Sequence, residues 1–167
     1  MELRLLTADD AEAFWHLRFE ALRNDPASFA DSAEEHLKTS VENARERLRK
    51  NDPASNFIIG AFEDGKLTGT AGFFRRQHNK ERHKGHIWGF YVRPGSRGKG
   101  IASSLMKEIV RRAREIDGIE QITLVASANF SAQKLYESVG FKGYGIEPHS
   151  LKIGNDYVDD ILMVLML

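Results

Sequence analysis

The chain has 167 residues, no cysteine, and 24 Lys plus Arg against 24 Asp plus Glu, a formal charge of zero. Residues 1–167 suit one compact domain, long enough to bury roughly two-thirds of its unfolded surface. The missing cysteines exclude a disulfide framework, thiolate zinc sites and a cysteine nucleophile, and the charge balance argues against general binding to nucleic acid or a membrane surface.

Leu3 and Leu5 alternate with polar neighbours and predict a short first strand. The stretch before Ala11 is acidic and has no long apolar run, so it does not read as a signal peptide. Thr7 and Asp10 form a T-x-x-D capping pattern, and Phe14, Leu17, Ala21 and Leu22 follow at helical spacing. Asn24-Asp25-Pro26 ends that helix, because proline disfavours helical geometry in the residue before it. Ser32 with Glu35 makes a second cap, and Leu37, Val41, Ala44 and Leu48 predict one charged helix running to about Lys50.

Phe57-Ile58-Ile59 opens strand-like sequence, and Asp64-Gly65 predicts a hairpin whose return strand runs from Leu67 to Phe74. Arg75 to Gly85 is crowded with Arg, Lys, His and Asn and reads as a solvated loop. His86 to Val92 is aromatic and β-branched, a strand. Ile101, Leu105, Ile109, Ala113 and Ile116 mark one face of a helix, which Asp117-Gly118 ends. Ile119 to Val125 is the next strand, so strand, helix and strand imply a parallel pair with a right-handed crossover.

A short helix over Ser131–Ser138 and two final strands, Phe141–Ile146 and Lys152–Leu167, complete the chain. The apolar tail Ile161–Leu167 is far shorter than the roughly 20 residues needed to cross a bilayer, and it reads as a buried strand. The expected location is cytoplasmic. The tail could also pair across a homodimer interface. The fold class is therefore α/β of the α+β type, one domain with a mixed central sheet.

The chemical signal is Arg97-Gly98-Lys99-Gly100-Ile101-Ala102, between a hydrophobic strand and an amphipathic helix. Glycines let a ligand approach the backbone, and the unpaired N–H groups and positive dipole end of a helix start favour phosphate. Arg97 and Lys99 add positive charge. A Walker A loop is excluded, because Ile101 rather than Lys follows Gly100. A dinucleotide fingerprint fits Gly98 and Gly100 but meets Ser103 at its third glycine, and the next strand ends in Ala126-Ser127 with no acid for a ribose.

The third pattern, Q/R-x-x-G-x-G/A, is met by Arg97, Gly100 and Ala102. With Tyr91-Val92-Arg93-Pro94 before it, and Asn129 and Leu135-Tyr136-Glu137-Ser138-Val139-Gly140-Phe141 after it, the stretch resembles the GNAT superfamily of acetyl-CoA-dependent N-acetyltransferases. The likeness is strongest from His86 to Phe141. It implies a single GNAT-like domain: a mostly antiparallel mixed sheet of about seven strands with about four helices and a splayed parallel strand pair.

The resemblance implies acetyl transfer from acetyl-CoA to an amine, without a metal. Gly98, Lys99, Gly100, Ile101, Ala102 and Ser103 would bind the coenzyme's pyrophosphate beside Arg97, while Phe90, Tyr91 and Val92 would lie along the pantetheine arm. A backbone N–H at Val92 would polarise the thioester carbonyl. Tyr136 is the candidate general acid, and Asn129 either bonds the pantetheine or caps a helix. The general base stays open between His86, Asp159 or Asp160, and water. Trp88, Phe90, Trp15 and Phe29 are candidate acceptor-pocket residues, and Asp159 and Asp160 could attract a cationic amine. The rival readings are an acyl-CoA-binding module without catalysis, and a partner or nucleic-acid module built on the basic loop.

Overall fold

The computed structural model describes residues 1–127 and 130–167, the side chains of residues 130 and 131 excepted. Its frame is a seven-stranded sheet in the order β1-β2-β3-β4-β5-β7-β6. The strands are β1 (Glu2–Leu5), β2 (Asn56–Glu63), β3 (Lys66–Arg75), β4 (Lys84–Val92), β5 (Gln121–Ser127), β6 (Lys142–Ile153) and β7 (Asp156–Met166). Four longer helices, α1 (Ala11–Asn24), α3 (Val41–Arg49), α4 (Ile101–Arg114) and α5 (Phe130–Ser138), accompany a single turn of helix, α2 (Ala33–His36). Among the described residues, no helix is long and apolar enough to cross a membrane.

Helices cover both faces of the sheet, which explains why β2 reads as a continuous apolar run. Phe57, Ile59 and Ala61 face a core shared with Ile101, Leu105, Met106 and Ile109 of α4. Their neighbours Ile58 and Phe62 face the opposite core, with Phe14 and Leu17 of α1 and Leu48 of α3. Each buried Leu, Ile or Phe contributes about 1.5–3 kcal/mol, so the two-faced burial rather than local propensity holds the sheet.

The hairpin at Asp64-Gly65 has φ of 49° and 76° at its two central residues, the geometry of a tight turn whose twist matches the flanking strands. The expected single helix from Ser32 to Lys50 is two helices. Ser32 and Glu35 do cap a helix, but it ends within one turn, and Ser40 starts another by exchanging bonds with Asn43. Two capping boxes eight residues apart leave no room for one continuous helix. The strand expected from Ile119 begins at Gln121, because Ile119 closes the turn after α4 through its N–H to Ile116 O.

The tail is an inner strand: β7 lies between β5 and β6, with Met163 and Leu165 buried. The β4–β5 pair is parallel, and its register stops at His86 with Thr123. Beyond that point, among the described residues, β5 keeps β7 and β4 keeps β3 as its strand partner, so the parallel pair is splayed.

Candidate active site

The splay leaves a cleft of about 730 Å³ lined by β4, β5, α5, the 28–31 segment and the β6–β7 hairpin. A bulge shapes its β4 wall. Thr70 pairs with Tyr91 and Gly72 with Trp88, so Gly89 and Phe90 together oppose Ala71. Gly89 takes φ of 63°, which a side chain would resist. Past the bulge, Arg93 N–H donates to Thr68 O. Successive peptide groups of a strand alternate in direction, so Val92 turns its own away from β3, toward the gap.

The glycine turn borders this cleft through Arg97 and Ala102. Gly98 and Gly100 have φ of 78° and 79°, and a Cβ built on either meets nothing within 4 Å. The glycines are therefore needed for conformation, and the space above them is open. The amides of Gly98, Lys99, Gly100, Ile101, Ala102 and Ser103 find no acceptor among the described residues. Ile101 offers only its backbone, since its side chain is in the core. The two cations of the turn are already engaged: Arg97 donates to Val92 O at 2.9 Å and to Asp25 at 2.7 Å, and Lys99 to Glu63 at 3.1 Å. Arg97 thus ties the turn to the strand end and to the end of α1.

Tyr136, from α5, lines the cleft and is buried edge-on against Phe90 and Phe141. Burial pushes its phenol up to about 12. His86 lines the cleft where the splay begins. Its Nδ1 is 2.9 Å from Thr123 Oγ1, and that hydroxyl is 3.2 Å from Gly85 O. A carbonyl can only accept, so both contacts are satisfied together when Thr123 donates to Gly85 O and accepts from Nδ1–H. The free lone pair of the neutral ring is then on Nε2. Burial, with a smaller push from the Arg76 charge, lowers His86 from its ordinary 6.5 to about 4.

The candidate acceptor residues separate. Phe29, Trp88 and Asp160 line the cleft, and Asp160 is buried and accepts a bond from Ser150 Oγ at 2.5 Å. Asp159 is exposed and accepts from His149 N–H at 2.7 Å, which stitches the β6–β7 hairpin instead. Trp15 is not among the cleft-lining residues: it stacks on Phe19, leans tilted against His36 and donates to Thr39. Tyr91 lines the cleft, while its hydroxyl bonds Asn24 and Glu20 of α1 and its Cα pairs with Thr70. Ser103 brings only a helix-start amide. Asn129 lies outside the described residues.

The polar wall residues that sequence reasoning missed include Arg18 on α1, and Glu147 and Ser150 on β6. Arg18 reads as one more polar position on an amphipathic helix, and Glu147 and Ser150 as turn neighbours, so no local pattern marks them.

Residues 12–141 match the acetyltransferase (GNAT) family. The chain is 30% identical over 119 residues to an N-acetylaspartate synthetase of Xenopus tropicalis, covering 71% of this chain and 42% of that protein's length. It is 28% identical over 137 residues to an uncharacterized N-acetyltransferase of Mycobacterium tuberculosis, covering 79% and 83% of the two chains. Its fold matches that of a phosphinothricin acetyltransferase from Sinorhizobium meliloti solved with acetyl-CoA, at a TM-score of 0.84 and 22% identity over 99% of this chain and 88% of that one. A strand pair splayed beside an open glycine turn, within a sheet of this topology, and a family match across most of the chain agree: the protein belongs to the GNAT family of acetyltransferases.

Proposed function

We propose that the protein transfers the acetyl group of acetyl-CoA to a primary amine by direct attack of that amine on the thioester. The observation that carries this reading is a turn of six consecutive amides without an acceptor among the described residues, bordering through Arg97 and Ala102 the cleft where β4 and β5 part. Bound acetyl-CoA supplies an activated acyl group. The amides of residues 98–103 take its pyrophosphate, where the helix dipole and bare N–H groups act together. Phe90 and Val92 offer backbone partners to the pantetheine arm, as a strand offers them to a neighbour.

Val92 N–H donates to the thioester carbonyl, where negative charge develops as the amine attacks. A preorganised donor of this kind is worth roughly 2.7–4 kcal/mol in acyl transfer. The C–N bond forms and the C–S bond breaks. One proton leaves nitrogen and one arrives on sulfur. Tyr136 is held in its donor form at neutral pH by a pKa of about 12. Since a free thiol titrates near 8.5, the phenol acts first as a hydrogen-bond donor to the developing thiolate. His86, at about 4, is too weak a base to strip an alkylammonium; its Nε2 instead orients the neutral amine and takes the acidic proton once the C–N bond has formed.

The test is a melting curve with acetyl-CoA and a CoA-release assay over a panel of amines. A ligand at 100 times its Kd stabilises the native state by about 2.7 kcal/mol. A raised Tm with CoA release supports acetyl transfer. Binding with no release from any amine would leave an acyl-CoA-binding module, and no shift at millimolar ligand would end the reading.

A further inference from the structure

The cleft is also lined, from α1, by a guanidinium that the acetyl-transfer chemistry does not use. Arg18 projects from α1 beside Phe29, Asp31, Trp88 and Gly89. Its side chain is only 15% exposed, and its carbon lies 4.8 Å over the Phe29 ring. Nη2 bonds the exposed carboxylate of Asp31 at 2.8 Å, while Nη1 is buried against the Gly89 bulge with no partner among the described residues. A second cation stands close by: Arg47 lies 4.1 Å over the Trp88 ring. Burial and the Arg18 charge both lower the Arg47 pKa, and Asp31 is the acid that opposes them.

The other acids of the cleft are placed differently. Asp25 is taken by Arg97. Glu147 and Asp160 face each other in register on β6 and β7 and line the cleft from that hairpin. On the α1 side two guanidiniums thus stand against the single carboxylate of Asp31, whereas the β6–β7 side holds two carboxylates. A polycationic acceptor would suit only the acidic wall and would be repelled by Arg18 and Arg47.

We propose that Arg18 binds a carboxylate on the acceptor, so that the substrates are amines that also carry a carboxylate, free amino acids being the simplest. The amine is drawn to the Glu147–Asp160 side and the carboxylate to Arg18, which places the nitrogen between them. This rests on the acetyl-transfer reading above, which leaves the acceptor class open.

The experiment compares L-amino acids, their carboxamides and spermidine by CoA release at saturating acetyl-CoA, with an acetyl-CoA melting curve alongside. The acids are expected to exceed their amides in kcat/KM by at least about tenfold, since a site built for a polar group rejects analogues that lack it. R18Q should bring that ratio close to one by raising KM for the acids, and R18K should keep part of it. Equal rates for acids and amides, a preference for spermidine, or an unchanged ratio in R18Q would overturn the proposal while leaving acetyl transfer intact. If no amine turns over, calorimetric titration of N-acetylamino acids against N-acetylamino amides decides: preferential binding of the acids that R18Q abolishes supports the Arg18 site, and no preference removes it. A missing acetyl-CoA shift in the melting curve separately removes the acetyl-transfer reading.

Discussion

His86 and Thr123 face each other across the last rung of the β4–β5 pair, with the Thr123 hydroxyl 2.9 Å from His86 Nδ1 and 3.2 Å from Gly85 O, a pair of contacts that favours the proton on Nδ1. Thr123→Val keeps the shape and removes the acceptor, leaving a buried N–H unpaired at a cost of about 1–3 kcal/mol. The expected result is a mixture of tautomers in the imidazole ¹⁵N spectrum and a fall in kcat of about tenfold, with Thr123→Ser restoring both. A spectrum identical to that of the wild type would show that Thr123 does not hold the ring.

The same burial makes His86 a source of acid sensitivity. Its folded pKa, about 4, lies below the ordinary 6.5, so the unfolded chain binds the proton more readily. The native state gains stability from this above pH 6.5 and loses it as pH falls toward 4, by up to about 3 kcal/mol. His86→Phe should flatten that part of the stability curve between pH 7 and 4, measured by urea unfolding at each pH. Carboxylates such as Asp10, whose bonds to Arg4 lower its pKa, lose stability at still lower pH in both proteins, so the difference between the curves isolates His86.

Gly100→Ala tests the turn. The residue has φ of 79°, where a side chain costs about 1–2 kcal/mol, and its Cβ would enter the open space above the amides. The mutant should melt lower and bind acetyl-CoA at least about tenfold more weakly by calorimetry. A change in stability alone, with unaltered affinity, would place the coenzyme elsewhere.

Tyr136→Phe removes one hydroxyl from a ring that packs on Phe90 and Phe141. The packing should survive, so acetyl-CoA affinity should change little. Loss of an acid catalyst typically costs about 10²–10⁴ in rate. An unchanged kcat in a rate-of-chemistry measurement would take Tyr136 out of that role.

Local signals in the sequence were enough for much of this protein. The Asp64-Gly65 hairpin, the caps at Thr7 and Ser32, the glycine turn and the two-faced apolar strand β2 all depend on residues close in the chain, where turn chemistry and periodicity act directly. The break between α2 and α3 was also written locally, in Ser40 and Asn43, but a continuing apolar stripe masked it.

What tertiary structure alone decided is which polar groups keep a partner. His86 titrates far from its ordinary range because of burial and a distant Arg76, and Asp159 and Asp160, neighbours in sequence, part into a hairpin stitch and a cleft wall because a strand sends successive side chains to opposite faces. Arg18 meets Phe29, Trp88 and Gly89 only once α1 packs on the sheet. Backbone geometry is set mainly by near neighbours, whereas desolvation and pairing depend on whatever the fold brings within a few ångströms.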